Sequence, residues 1–267
     1  MREASQEVAH EQRQPSSAEM ARVAPWSVRQ SAAGVLLTLV PWLIFSLGSA
    51  ALASPTSSTS GARVPLARDI AMGVAIFLVS ALLEAIFLIA PLYIAARASG
   101  RGMSWRERLA ALGLRRGRPG VTLGIVVGGV IVAFAASALY SWIVTALRLP
   151  LQTNSDQVLA LGRTEPFTAL GLLAAAALVA PICEEIFFRG FAFAGLLNGL
   201  SVGAAAILSA GLFAVAHTDL GSLIPLFLIG LVLAWARWRA DSLWPAILIH
   251  MAYNTLAAVT IIPLLFK

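Results

Sequence analysis

Two adjacent carboxylates and an arginine interrupt a long apolar stretch of the sequence. Glu184, Glu185 and Arg189 lie within the otherwise apolar segment from Phe167 to Leu197. A charge at the centre of a membrane helix costs at least about 2.5 kcal/mol, so such residues usually have a function. In a helix, Glu185 and Arg189 share a face and can form an ion pair. Glu184 points about 100° away from that face and has no partner near it in the sequence.

Two of the chain's three histidines lie on other apolar segments, whereas His10 is close to the N-terminus. Phe213 precedes His217 by four residues, and Asn254 follows His250 by four. Residues with this spacing share one face of a helix. Three clusters of polar or aromatic groups therefore lie on three different apolar segments, and we expect them to meet in one cavity.

These residue types could hydrolyse a peptide bond, which requires an activated water, a proton donor and a group that stabilises the oxyanion. A carboxyl group in apolar surroundings can act as a general base near neutral pH. Glu184 is the candidate because it has no local cation. His217 could hold the same water and pass a proton to the leaving amine. His250 and Asn254 could donate hydrogen bonds to the oxyanion.

The remaining residues of the three clusters are predicted to support the site without reacting. Glu185 paired with Arg189 would fix its helix and tune the electric field, and Phe213 would lie behind the reacting groups. Cys183 has no histidine at a local spacing that would make it a nucleophile, so a buried apolar role is expected. Glu84, in an earlier apolar segment, is either a structural partner between helices or a group that lines the site.

A metal ion could use the same residues. Zinc accepts histidine nitrogen and carboxylate oxygen, and a catalytic zinc site has three protein ligands and a water. Glu184, His217 and His250 could supply these ligands. The sequence lacks a His-Glu-x-x-His helix, the usual source of two zinc ligands and a base. We therefore favour a mechanism without a cofactor and keep zinc as the alternative.

The composition is that of a membrane protein. Of 267 residues, 59% are hydrophobic and 12% are charged, against about 25% charged residues in soluble domains. The mean hydropathy is +0.84. We predict an all-α, polytopic transmembrane helical bundle. The single cysteine excludes an intrachain disulfide, and the net charge of +6 has no basic stripe typical of nucleic-acid binding.

Apolar runs predict about seven spans. The chain is divided into a disordered cytoplasmic tail (1–26), N-terminal transmembrane helices (27–150) and a catalytic helical core (166–267). The predicted spans are Ser27–Ala53, Ile70–Ala96, Val121–Leu147, Phe167–Leu197, Val202–His217, Leu223–Trp238 and Leu243–Phe266. The segments 54–68, 97–119 and 148–165 are predicted loops.

Arginine distribution predicts the orientation. The loop from Arg97 to Arg118 holds seven arginines, so we expect it and the N-terminus in the cytoplasm and Lys267 outside. This predicts a multi-pass protein of the cell membrane, and the composition suits a bacterial inner membrane. The expected partners are the lipid bilayer and a membrane-associated peptide or protein substrate, with no nucleic acid.

The three motifs together resemble a known family. Glu-Glu-x-x-x-Arg at 184–189, Phe-x-x-x-His at 213–217 and His-x-x-x-Asn at 250–254 are similar in order and spacing to those of the CPBP family. That family comprises the Rce1-type CAAX prenyl proteases and the bacteriocin-processing and immunity proteins, also called Abi. The resemblance covers roughly Phe167 to Ile262. It implies an all-helical intramembrane endopeptidase, of glutamate type or metal-dependent, whose site contains the seven motif residues.

Other classes of function have less support. A secondary transporter is expected to have repeats and broken helices in matched halves, and a rhomboid-type protease a Gly-x-Ser motif; neither is evident. The alternative is a non-catalytic membrane scaffold or a bacteriocin-immunity-type protein of the same fold. The presence of every motif side chain favours an enzyme.

Overall fold

The computed structural model describes residues 24–52, 63–98, 104–117 and 119–266. Within these ranges all regular structure is helical and no strand occurs, as predicted for the all-α class. A 3₁₀ turn, Ile86–Leu88, joins α2 to α3, and a π-helix, Ile186–Phe193, joins α8 to α9. The α-helices are Val28–Leu52 (α1), Leu66–Ala85 (α2), Ile89–Arg97 (α3), Trp105–Ala111 (α4), Pro119–Ala146 (α5), Asn154–Gly162 (α6), Pro166–Leu178 (α7), Ala180–Glu185 (α8), Ala194–Leu196 (α9), Val202–Ala216 (α10), Leu223–Ala240 (α11) and Trp244–Leu265 (α12).

Six helical stretches of the described chain are long and apolar enough to cross a membrane, where about seven spans were predicted. They are Val28–Ser49, Leu66–Arg97, Pro119–Ala146, Pro166–Leu196, Leu223–Ala240 and Trp244–Leu265. The predicted fifth span is the exception. Helix α10 has 15 residues and is about 22 Å long, which is shorter than the roughly 30 Å hydrocarbon core. It ends at Ala216, and His217 caps it, because Thr218 has a left-handed backbone with φ of 52°.

The segment that contains α10 still carries the chain from one end of the bundle to the other. Before α10, the Asn198 side chain donates to the Ala24 carbonyl at 2.9 Å. After α10, Gly221 packs on Gln152 so closely that a Cβ atom would overlap the Gln152 carbonyl group. We call these ends the α4 end (residues 24–28, 104–117, 197–201 and 240–243) and the α6 end (147–165 and 217–222).

Two predicted loops contain short helices. Helix α4 begins with a capping box in which the Ser104 N–H donates to Glu107 Oε2 at 2.7 Å. Helix α6 begins in the same way, with the Thr153 N–H donating to Asp156 Oδ2 at 2.8 Å. The Ser-x-x-Glu and Thr-x-x-Asp patterns in the sequence are signals of such helix starts. The polar composition of both segments had favoured loops.

The predicted tail, residues 1–26, lies outside the described residues except for its last three. Of these, Ala24 is buried and Trp26 is 1% exposed. Trp26 donates from Nε1 to the Phe191 carbonyl at 3.1 Å. Both side chains belong to one core that also contains residues of α1, α3, α10 and the π-helix. The packed part of the chain therefore begins before the predicted end of the tail, and residues 27–150 share a core with 166–267.

Helices α2 and α7 cross at very short range. A Cβ atom at Gly171 would overlap the Gly73 carbonyl oxygen, and one at Gly73 would overlap that of Phe167. At the start of α7, the Asp69 carboxylate accepts from the Phe167 N–H at 2.9 Å and from the Thr168 N–H at 2.8 Å. It thus satisfies donors that a helix start leaves unpaired. Because α2 begins at Leu66, Asp69 lies within this span, whereas the predicted span began at Ile70.

A break at Val179, just before Pro181, separates α7 from α8. Pro181 has no N–H with which to continue the backbone ladder. The following π-helix leaves carbonyl groups to be satisfied from outside. Ser209 of α10 donates from Oγ to the Phe188 carbonyl at 2.9 Å, in addition to the Trp26 bond to Phe191. Eight residues of π-helix are unusual and often mark functional sites.

Candidate active site

The structure brings the three motifs together. Glu184 and Glu185 end α8, Arg189 lies on the π-helix, and Phe213 lies on α10 with His217 just after it. His250 and Asn254 lie on α12. A cavity of about 460 Å³ is lined by Glu184, His217, His250 and Asn254. The other three motif residues do not line it and lie behind this wall.

Glu184 faces both motif histidines. Its Oε1 lies 3.9 Å from His217 Nε2, and its Oε2 lies 3.8 Å from His250 Nε2. The side chain is buried, and Oε2 has no hydrogen-bond partner within the described protein. The sequence left open which group Glu184 meets, and the structure shows that it meets both imidazoles.

The second nitrogen of each imidazole is already bonded. His217 Nδ1 lies 2.8 Å from the Phe213 carbonyl oxygen, which can only accept, so Nδ1 carries the proton. This carbonyl is open to the ring because the His217 N–H turns to Ala214 at the helix end. His250 Nδ1 lies 3.1 Å from Glu185 Oε1 and donates to it. Both neutral rings therefore direct an accepting Nε2 towards Glu184.

Glu185 and Arg189 form the predicted ion pair. Arg189 Nη1 donates to Glu185 Oε1 at 2.7 Å, and both side chains are 0% exposed. Arg189 Nη2 donates to the Gly230 carbonyl at 3.1 Å. Since Glu185 also accepts from His250, these three side chains make a continuous chain of hydrogen bonds from the π-helix to α12. This chain sets the orientation of the His250 ring.

Phe213 is the packing centre behind the histidines. Its ring centroid lies 4.8 Å from that of His217 and 5.6 Å from that of His250. The Arg189 guanidinium stacks over the same ring at 4.4 Å, within the range of a cation–π contact. Phe213 therefore holds both imidazoles and the buried cation in fixed positions.

Asn254 lines the cavity beside His250. Its Nδ2 donates to the Ala176 carbonyl at 2.7 Å. That carbonyl lies in the last turn of α7, where the break before Pro181 interrupts the backbone ladder. An amide nitrogen has two N–H groups, so one remains for a ligand in the cavity.

Cys183 and Glu84, whose roles the sequence left open, have different surroundings. Cys183 is buried in the core and does not line the cavity, in agreement with the predicted apolar role. Glu84 does line the cavity, and its Oε2 is buried without a hydrogen-bond partner. Of the two readings of Glu84, the structure supports the one in which it lines the site.

Sequence reasoning did not identify the polar lining of the cavity. Hydroxyl groups of five different helices line it: Ser46, Ser80, Ser137, Ser155 and Tyr253. It also includes residues of the α6 end, such as Thr153 and Thr218. Most of these helices contribute one hydroxyl group, so no local spacing connects residues of different helices. Helix α5 is the exception, because Ser137, Tyr140 and Ser141 are three and four residues apart and share a face. The cavity thus combines an apolar lining with scattered polar groups and extends to the α6 end.

The predicted zinc ligands, Glu184, His217 and His250, have donor atoms that suit a metal ion. Among the described residues, no three His, Cys, Asp or Glu side chains are arranged to hold one. Each imidazole Nε2 lies 3.8 to 3.9 Å from Glu184, and the opposite nitrogens are bonded to Phe213 and Glu185, as they would also be in a metal-bound histidine. The mechanism without a metal ion stays the preferred one, and zinc stays the alternative.

The segment that carries the motifs has known relatives. Residues 166–256 match the family model described as type II CAAX prenyl endopeptidase Rce1-like. This segment is Rce1-like. It contains all seven motif residues, so the predicted resemblance is confirmed for this part of the chain. By its description, the family is one of endopeptidases.

Two curated proteins are similar to the chain. "Putative membrane peptidase YdiL" of Bacillus subtilis (strain 168) is 28% identical over 88 residues, which are 33% of this chain and 36% of that protein. An "Uncharacterized protein" of Mycoplasma capricolum subsp. capricolum is 28% identical over 150 residues, 51% of this chain and 43% of that protein. The matches thus span less than half the length of each relative. No solved structure matches the chain significantly.

Proposed function

We propose that the protein is an intramembrane endopeptidase in which Glu184 and His217 activate a water molecule. One observation carries the proposal. A buried carboxylate faces Nε2 of two imidazoles inside the cavity, at 3.9 and 3.8 Å, and one of its oxygens has no hydrogen-bond partner among the described residues. The Rce1-like match of the same residues supports a membrane peptidase at the level of the family.

The spacing suits a bridging water. A carboxylate oxygen and an unprotonated Nε2 both accept hydrogen bonds and cannot bond to each other. They lie 3.9 Å apart, so a water about 2.8 Å from both can donate one proton to each. Bound in this way, the water keeps a lone pair free to attack a carbonyl carbon in the cavity.

The reaction follows from these positions. Glu184 accepts a proton from the water as its oxygen bonds to the peptide carbonyl carbon. The oxyanion receives a hydrogen bond from the free N–H of Asn254. His250 adds a second from Nε2 in molecules whose ring has taken up a second proton from solvent before the reaction, and that proton stays on the ring. His217 then passes the proton taken up by Glu184 to the leaving nitrogen, and the C–N bond breaks to give an acid and an amine.

Glu185 and Arg189 act through His250 in this scheme. Arg189 holds Glu185, and Glu185 holds Nδ1 of His250, so that Nε2 stays directed into the cavity. Phe213 restrains both rings from the opposite side. These three residues are positioning residues, and the reacting groups are the four that line the cavity.

The direct test is proteolysis by the purified protein of a peptide library in detergent or lipid nanodiscs. We expect cleavage that survives a chelator and is unchanged when zinc is added. Loss of cleavage with the chelator and its return with zinc would instead establish the metal-dependent alternative. The scaffold alternative is correct if two results coincide. No peptide or membrane-protein substrate is cleaved, and the Glu184→Ala variant still confers the cellular phenotype of the wild-type protein.

We further propose that the protein is a multi-pass protein of a bacterial inner membrane with the α4 end in the cytoplasm. The arginine-rich segment at this end supports the orientation. Because the one native cysteine, Cys183, is buried, a single cysteine can be introduced at either end with little background. Arg106→Cys should resist an impermeant thiol reagent in intact cells, and Ser155→Cys at the α6 end should react. The reverse pattern would overturn the orientation.

A further inference from the structure

Glu84 is a carboxyl group in the cavity that the proposed reaction does not use. It lies on α2, and no motif contains it. It lines the same cavity as Glu184. One oxygen of Glu84 is buried without a hydrogen-bond partner in the described structure. A buried polar group without a partner is unfavourable, so a ligand that supplies one would be stabilised there.

The charges around the cavity favour a positive ligand. Its described lining includes two acids, Glu84 and Glu184, and two histidines, but no lysine or arginine. Glu184 is 7% exposed and also has an unpartnered oxygen. The nearby Arg189 does not line the cavity and is bonded to Glu185 and Gly230. A cavity lined by one sign of charge attracts ligands of the opposite sign.

Aromatic residues line the same cavity as Glu84. They are Trp42 of α1 and Phe87, which follows Glu84 by three residues in the chain. Their ring centroids lie 5.0 Å apart. Trp42 donates from Nε1 to the Ala216 carbonyl at 2.8 Å, which fixes the indole next to His217. Aromatic faces attract ammonium and guanidinium groups, so these rings, like the carboxylate, favour a cationic ligand.

We propose that Glu84, with Trp42 and Phe87, forms a subsite for a cationic group of the substrate. The group is a lysine or arginine side chain, or a free amino terminus, close to the bond that is cleaved. This inference rests on the proposed peptidase function and adds a substrate class to it. A cation at this position would compensate Glu84 in the cavity that also contains Glu184, and would thereby help to fix the register of the peptide.

The test compares peptides that differ in one charge. Fluorescent decapeptides carry a single lysine, or glutamine in its place, at successive positions. We expect wild-type protein to cleave the best lysine peptide with a kcat/KM at least about tenfold above its glutamine counterpart, as for one hydrogen bond to a charged group. In Glu84→Gln, the kcat/KM values of the two peptides should differ by no more than about twofold, because KM for the lysine peptide rises. Glu107→Gln, the same change at an exposed site on α4, should leave the ratio unchanged.

Two further measurements keep the outcomes separate. Glu84→Asp retains the charge and should keep part of the preference, provided that thermal melting shows both variants folded. Binding of the same peptides to Glu184→Gln reports the subsite without cleavage. Selective binding that depends on Glu84 in a protein that cleaves nothing would reject the peptidase function and keep the subsite. Cleavage without charge preference, or an equal loss of kcat for both peptides in Glu84→Gln, would overturn the subsite.

Discussion

The two longest spans are alike in sequence and different in surroundings. Leu66–Arg97 has 32 residues and Pro166–Leu196 has 31, and both are interrupted helices with a glutamate at membrane depth. In the apolar stretch of the first span, only 11% of the residues are buried within the protein, against 50% in that of the second. The first is thus mostly an outer wall of the bundle, and the second is its centre.

The acids in the two spans also differ in their hydrogen-bond and ion-pair partners. In the central span, Glu185 has Arg189 and His250 as partners, so its charge is compensated inside the protein. In the outer span, Glu84 has an oxygen with no partner in the cavity wall. Its neighbour in space, Glu184, faces two imidazoles instead of a cation. Glu185 is therefore part of the framework, whereas the Glu84 carboxyl group is the one that the proposed subsite uses.

The largest expected effect is at Glu184. Glu184→Gln keeps the size of the side chain but cannot accept a proton from water, and general-base catalysis contributes about 10²- to 10⁴-fold. We expect kcat to fall by at least that much while peptide binding persists. Single-turnover cleavage and equilibrium binding, measured on one preparation, provide the check. Activity within about tenfold of wild type would show that Glu184 is not the base.

Arg189→Ala should have the next largest effect, on stability. Removing one member of a buried ion pair typically costs about 3–5 kcal/mol, because the other charge remains uncompensated. We expect a lower yield of folded protein and a lower melting temperature in detergent. The matched control is Arg97→Ala, an exposed arginine at the end of the outer span, which should change little. A stable but inactive Arg189→Ala protein would instead argue for direct participation in catalysis.

The crossing of the two spans can be tested with glycine. Gly171→Ala places a Cβ atom against the Gly73 carbonyl oxygen, and overpacking of this kind costs about 1–3 kcal/mol. We expect reduced thermal stability and reduced activity, because the shift of α7 is transmitted to α8 and Glu184. Gly124→Ala on α5 is the control, since nothing lies within 4 Å of the added atom. Equal stability of the two variants would contradict the close crossing.

The smallest effect concerns the contact between α2 and the start of α7. Asp69→Ala removes the acceptor for two backbone N–H groups, and loss of such a cap costs about 0.5–2 kcal/mol. Asp69→Asn keeps one acceptor oxygen and should recover part of the stability. Both can be ranked by thermal melting in the same detergent. An unchanged melting temperature for Asp69→Ala would mean that the cap contributes nothing measurable.

Part of the site could be predicted because it is local. Residues four apart on one helix share a face whatever the rest of the protein does. This is why Glu185 and Arg189 could be paired from the sequence, and why Phe213 with His217 and His250 with Asn254 could be grouped. Errors arose where local patterns competed. The polar residues that suggested loops also formed capping boxes at α4 and α6, and an apolar run long enough to suggest a span ended early at Thr218.

The sequence by itself determined the membrane class, the helical composition and the residues that could do chemistry, since apolar runs and four-residue spacing are properties of single elements. Only the tertiary structure decided that Glu184 meets both imidazoles, that Asp69 caps α7 and that Glu84 shares the cavity. Contacts between helices depend on their crossing positions, here set by Gly73 against Gly171 and by the break before Pro181. Those positions follow from the packing of many side chains distant in the chain, which no local pattern records.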